Sequence, residues 1–278
     1  MIGAIIGDIV GSRFERNNHR SKEFELFTPE CRATDDSIMT LAVARAIMEA
    51  QKYIEAGAEP MSDSYLELLS NLTVKSMQSL GRKYPNCGFG GRFIYWIFSL
   101  SPQPYYSFGN GSAMRISPVG NIAPTESEVI AWSNAATRVT HNHPEGLKGA
   151  EATALAIYMA RQGASKEEIR SRITQRYYPL DFTIDGIRSS YKFDVSCQNS
   201  VPQAIQAFLE SASFEDAIRL AISVGGDSDT LAAIAGGIAE AHYGVPEPLR
   251  HNALSYLDEE LRGIYDDWMA FMGEEGRN

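Results

Sequence analysis

The chain has 278 residues and a mass of 30.7 kDa, with 44% hydrophobic and 22% charged residues, enough apolar material for a sizeable buried core. A formal net charge of −10 excludes an unaided electrostatic grip on nucleic acid or anionic lipid, since both need clustered Lys and Arg. A small anionic ligand is not excluded, because backbone N–H groups, helix N-termini or a bound cation receive phosphates inside acidic proteins.

The chain opens on MIGAIIGDIVGS, apolar but without a basic leader and interrupted by Asp8, which predicts a buried first helix over 2–12 rather than a signal peptide. Asp8, Gly11, Ser12 and Glu15 follow at spacings of three and four, so a helix carried that far sets all four on one face, with Glu15 a candidate acid or base. Thr34-Asp35-Asp36 then stands before the clearest helical pattern of the chain, Ile38 to Ala50, and any of the three can cap it. Further helical periods cover 62–80, 126–136, 145–162, 165–175, 200–210, 214–223, 229–243 and 253–271. Two loops rich in Gly, Pro and aromatic residues lie between them, Lys83 to Gly91 and Ser101 to Gly111. The second runs into SFGNGSAMR, whose small residues suggest backbone N–H donors free to cradle a diphosphate. Tyr177 to Val195 is the only stretch with strand character, readable as an irregular excursion or a short hairpin.

Asp227-Ser228-Asp229-Thr230 repeats the first acidic cluster near the other end of the chain, again just before a helix. One cluster alone reads as an N-cap, but a cap needs one oxygen and the pair offers four carboxylates. If they converge, hard divalent cations follow, and the absence of thiolate or imidazole in either cluster argues against zinc. Gly225 and Gly226 precede that cluster, and Gly236-Gly237 lie inside its helix, where a close approach to a ligand or plain tight helix packing accounts for them equally. His141 and His143 form a nominal metal pair without a third ligand; a neutral His141 bonded to a ligand phosphate or ribose hydroxyl, with Pro144 opening the next helix, is the simpler reading. The odd, scattered Cys31, Cys87 and Cys197 fit a reducing, cytoplasmic setting. No stretch approaches the roughly 20 apolar residues of a membrane span.

In order, GDIVGSRFE, TDDSIMT, FGNGSAMR, THNHPEG and GGDSDTLAAIAGGIAEA make the sequence similar to the ADP-ribosylglycohydrolase family over nearly its whole length. The resemblance implies a single all-α domain over 1–278, a multi-helix bundle around a dinuclear Mg²⁺ site that Mn²⁺ can also fill. It implies Thr34, Asp35, Asp36, Asp227, Asp229 and Thr230 as metal ligands, with Asp229 bridging and Ser228 a spacer. Glu15, Asp35, Asp36 and Asp229 would carry the catalysis, and Ser107, Phe108, Gly109, Asn110, Gly111 and His141 would line an ADP-ribose pocket, with Tyr105 or Tyr106 beneath the adenine. The implied partners are ADP-ribose and an ADP-ribosylated substrate, whose bond at C1″ is hydrolysed. The chain is short for the family and matches it loosely between the TDD and FGNG motifs, where the leaving group would be selected. Two other readings stand beside this one: a non-catalytic ADP-ribose-binding or structural protein on the same scaffold, and a two-metal phosphohydrolase acting on the pyrophosphate.

Overall fold

The computed structural model describes residues 1–275, and among them every regular element is helical. In chain order the helices are α1 (Ile2–Gly11), α2 (Asp35–Glu55), α3 (Asp63–Lys83), α4 (Gly91–Phe98), α5 (Ser117–Ile122), α6 (Glu126–Thr137), α7 (Pro144–Arg161) and α8 (Lys166–Arg176). They continue with α9 (Ile184–Arg188), α10 (Cys197–Glu210), α11 (Phe214–Ser223), α12 (Ser228–Tyr243), α13 (Glu247–Leu254) and α14 (Glu259–Glu275). Local chemistry explains most of the boundaries. Thr34, Ser62, Thr125, Thr183 and Ser213 each accept a backbone N–H at the start of their helix, and Ser165 with Glu168 closes a reciprocal capping box.

α12 is the axis of the bundle. From Ser228 to Ala239 every residue is buried, so this helix has no wet face and must be enclosed; α1, α7, α10 and α11 surround it. The closest neighbour is α1, and glycine permits the approach. A Cβ on Gly7 would lie 2.0 Å from the Ala232 carbonyl oxygen, and one on Gly11 would lie 2.5 Å from the Asp229 Cα. Gly236 faces the Gly3 carbonyl at 2.2 Å in the same sense, so this glycine serves helix packing rather than a ligand.

One alternative is decided, in favour of the irregular excursion, and two local expectations need correction. No hairpin forms between Tyr177 and Val195: Thr183 caps the short α9 there, and the only β contact among the described residues is an isolated bridge between Gly109 and Ser196. α1 stops at Gly11, where the chain turns, so Glu15 lies beyond the helix and not on a face shared with Asp8. The pattern over 253–271 is two helices, α13 and α14, broken at Ser255–Asp258. α4 and α5 have no counterpart in the periodicity, being one or two turns long inside Gly- and Pro-rich sequence.

Candidate active site

α1 and α12 cross so closely that Asp8 and the N-terminus of α12 meet, and the N-terminus of α2 closes on both. Asp8 is fully buried and accepts four hydrogen bonds from the first turn of α2. These come from the Thr34 amide at 2.9 Å, the Thr34 hydroxyl at 2.5 Å, the Ser37 amide at 3.0 Å and the Ser37 hydroxyl. One carboxylate thus caps a helix from a different element and sets the direction in which Asp35 and Asp36 project. Sequence reasoning assigned Asp8 only a place on a polar face. The signal in the sequence is a single acid inside an otherwise apolar helical run, IGAIIGDIVG.

Asp8, Asp36 and Asp229 each present a carboxylate oxygen within 4.8 Å of the others, all three buried. Asp36 Oδ1 is buried with no hydrogen-bond partner, while its Oδ2 accepts the Thr230 hydroxyl at 3.4 Å. Asp229 Oδ1 accepts the Thr230 amide at 3.0 Å, and Asp227 Oδ2 accepts the Asn110 amide nitrogen at 2.6 Å. Among the described residues no Lys or Arg pairs with any of these acids. Burial, reinforced by the neighbouring carboxylates, pushes Asp36 and Asp229 well above the ordinary carboxyl value. Burial and the Asp8 carboxylate raise Asp35 to about 7; burial raises Asp227 to about 6, against the hydrogen bond from Asn110. An all-oxygen cluster with an orphaned buried carboxylate atom and no protein cation fits a hard divalent metal ion.

The cluster forms one end of a cavity of about 350 Å³. Asp35, Asp36, Asp227, Asp229 and Thr230 line it, as do Glu15 and Gly109, Asn110, Gly111, Ser107 and His141. Thr34 sits just behind the lining, its hydroxyl directed to Asp8. Glu15 is 22% exposed, 3.7 Å from Arg16, and near enough to Asp35, Asp227 and Asp229 to add to their repulsion. Phe108 stands apart: it is not part of the wall, and its ring lies 5.3 Å from His143 at the surface. Tyr105 lines the cavity, whereas Tyr106 is exposed with φ of 56° and packs on His143. The run is also not a row of free amide donors. Gly109 N–H donates to Ser107 Oγ and Asn110 N–H to the Val195 carbonyl.

The two histidines have separate tasks. His143 caps α7, its Nδ1 accepting the Glu145 amide at 3.0 Å, with Pro144 at the first helical position, which leaves no histidine metal pair. His141 is buried, and burial together with the adjacent Arg115 guanidinium holds it well below its usual pKa, so it is neutral. Arg115 donates to the Thr140 hydroxyl at 2.7 Å, and that hydroxyl lies 2.7 Å from His141 Nδ1. The network therefore assigns the Thr140 proton to Nδ1 and the ring proton to Nε2, on the side of Gly109 and Gly111. Neutral His141 is a hydrogen-bond donor into the cavity.

The profile of the ADP-ribosylglycohydrolase family matches residues 1–276. The chain belongs to this family. Family membership makes it a hydrolase of the ADP-ribosyl type. Among curated relatives, a Pseudomonas putida protein named ADP-ribosylarginine hydrolase Tri1 is 29% identical over 88% of this chain and 70% of its own length. The human ADP-ribosylhydrolase ARH3 is 23% identical over 94% of this chain and 90% of its own. A solved structure described as an ADP-ribosylglycohydrolase-related protein complex superposes with a TM-score of 0.63 at 22% identity, covering 95% and 94% of the two chains, and shares the fold. No helix among the described residues is long and apolar enough to cross a membrane.

Proposed function

We propose that this ADP-ribosylglycohydrolase cleaves the glycosidic bond between C1″ of ADP-ribose and an acceptor, in a reaction that depends on two Mg²⁺ ions, with Mn²⁺ able to replace them. The observation that carries the reading is the convergence of acidic clusters from opposite ends of the chain on one cavity, with Asp36 Oδ1 left without any donor. Asp35, Asp36, Asp227 and Asp229, with the Thr34 and Thr230 hydroxyls, would hold the metal, and Asp8 supports them from behind. Bound there, the ions supply charge neutralisation and Lewis acidity toward ribose hydroxyls and water. The names of the human and Pseudomonas relatives agree with ADP-ribosylated substrates.

The chain's own residues do the rest. Ser107, Gly109, Asn110 and Gly111 form a small-residue wall against which a diphosphate can lie, and His141 Nε2–H donates to one of its oxygens. Asn110 ties that wall to the metal end through Asp227. Glu15, at the cavity edge, moves the proton: hydrolysis adds water oxygen to C1″ as the bond to the acceptor breaks, and the acceptor leaves with a proton. The test is release of ADP-ribose from arginine-linked, serine-linked and polymeric substrates, with Mg²⁺ or with EDTA, identified by mass spectrometry. Intact ADP-ribose with Mg²⁺ and none with EDTA is expected from at least one substrate class. Release of AMP, with phosphoribose left on the acceptor, would replace the reading with pyrophosphate hydrolysis, and tight binding of ADP-ribose without turnover would make the chain a binding protein.

A further inference from the structure

The segment that follows α1 carries Glu15 and returns to α2 through the surface, yet two of its polar side chains reach into the turn that presents Asp227. Gly225 and Gly226 adopt φ of +78° and +76°, a left-handed pair that turns the chain just before the metal cluster. The Asn18 side-chain carbonyl accepts the Gly226 N–H at 2.6 Å. The Arg20 guanidinium donates to three backbone carbonyls: Val224 at 3.0 Å, Tyr191 at 2.6 Å, and Arg188. A Cβ on Gly225 would lie 3.0 Å from Asn18 Oδ1 and 3.3 Å from Arg20 Cζ, so the turn and these two side chains are in direct contact. Val224 belongs to the turn, and Arg188 and Tyr191 to the excursion that leads to Phe193 and Val195 on the cavity wall. Arg20 therefore ties together the Glu15 segment, the metal turn and one wall of the cavity, none of which is held to the others by regular secondary structure.

We propose that Asn18 and Arg20 are positioning residues for the metal centre. They fix the Gly225–Gly226 turn so that Asp227 and Asp229 meet Asp35 and Asp36. This inference rests on the metal-dependent reading above. It also makes a prediction opposite in sign to simple electrostatics. Arg20→Ala removes a positive charge near an acidic cation site, which by Coulomb's law alone favours Mg²⁺; if Arg20 acts by holding geometry, Mg²⁺ binds more weakly, by about tenfold, as outer-shell losses at metal sites typically do.

The experiment is a Mg²⁺ titration of the full-length protein, followed by calorimetry and by the rise in thermal midpoint, for wild type, R20A, N18A, N18D and K22A. Asn18→Asp retains an acceptor for the Gly226 N–H. Lys22→Ala breaks an ion pair of the same segment to Asp216 at 2.6 Å, away from the turn. The expected result is Mg²⁺ half-saturation raised about tenfold in R20A and N18A, and close to wild type in N18D and K22A. Unchanged or tighter Mg²⁺ binding in R20A, or equal weakening in K22A, would overturn the positioning role and leave Arg20 an ordinary surface contact. A wild-type protein with no Mg²⁺ response would instead overturn the proposed function, and this inference with it.

Discussion

Asp8 and Asp36 are both buried carboxylates in one cluster, yet their surroundings assign them different work. Asp8 has its oxygens occupied by Thr34 and Ser37, whereas Asp36 retains an oxygen with nothing to bond. Asp36→Asn and Asp229→Asn remove charge from the proposed ligand set, so turnover at saturating Mg²⁺ should drop on the order of 10²-fold or more while helical circular dichroism is preserved. Near-normal turnover in both would remove the metal assignment. Asp8→Asn acts at one remove. Its amide turns an N–H₂ toward donors of α2, so we expect Mg²⁺ affinity to fall about 10- to 100-fold together with a lowered thermal midpoint. Turnover measured against Mg²⁺ concentration separates the two cases: D8N is expected to recover at high Mg²⁺ and D229N is not.

At the scale of elements the decisive contact is α1 against α12. Adding a methyl at Gly7 or Gly11 forces the helices apart at backbone atoms that have no freedom to move aside, and each Gly→Ala change should cost about 1–3 kcal/mol or more in urea denaturation. Gly263, in α14, has open space around its Cβ position, and Gly263→Ala is expected to stabilise by about 0.5–1 kcal/mol. Equal effects at Gly7 and Gly263 would contradict the packing account. The same pair of helices shows what a sequence conveys and what it withholds. Oxygen-rich clusters before two helical patterns are local features, so Asp35, Asp36, Asp227 and Asp229, the proposed ligands that line one cavity, are legible from residue type and spacing as two acidic clusters. That Gly3, Gly7 and Gly11 form a stripe facing α12, and that Asp8 caps a helix beginning at Asp35, depends on tertiary pairing that no local window contains. The placement of Glu15 on the face of Asp8 fails for a related reason: α1 ends within a residue of its expected end, Ser12 closing the last turn through its amide and its hydroxyl, and polar residues beyond it imitate continued period. Phe108 and Tyr106, adjacent in sequence to the cavity wall, turn outward to His143, which aromatic content alone does not reveal.

Across the whole molecule, the acidic composition and the raised carboxyls make folding and metal binding one linked equilibrium. Asp35 at about 7 and Asp227 at about 6 lie above the ordinary 3.8 of an unfolded Asp. Without metal, the native state therefore binds more protons than the unfolded state between these limits. The stability these groups contribute is present below pH 3.8 and is lost as pH rises through 6 and 7. We expect the thermal midpoint of the EDTA-treated protein to fall from pH 5 to pH 8. Divalent metal favours the ionised carboxylates, so the midpoint gain from saturating Mg²⁺ should grow over the same interval. A metal-induced gain that shrinks toward pH 8 would show that the raised carboxyls are not the ones that bind it.

The measurement that bears most directly on the convergence of the two acidic clusters is anomalous diffraction from crystals grown with Mn²⁺. Two manganese peaks are predicted within the cavity, bounded by Asp35 and Asp36 from α2 and its cap and by Asp227 and Asp229 from the start of α12. Manganese found only on surface carboxylates, with this cluster empty at saturating metal, would contradict the account.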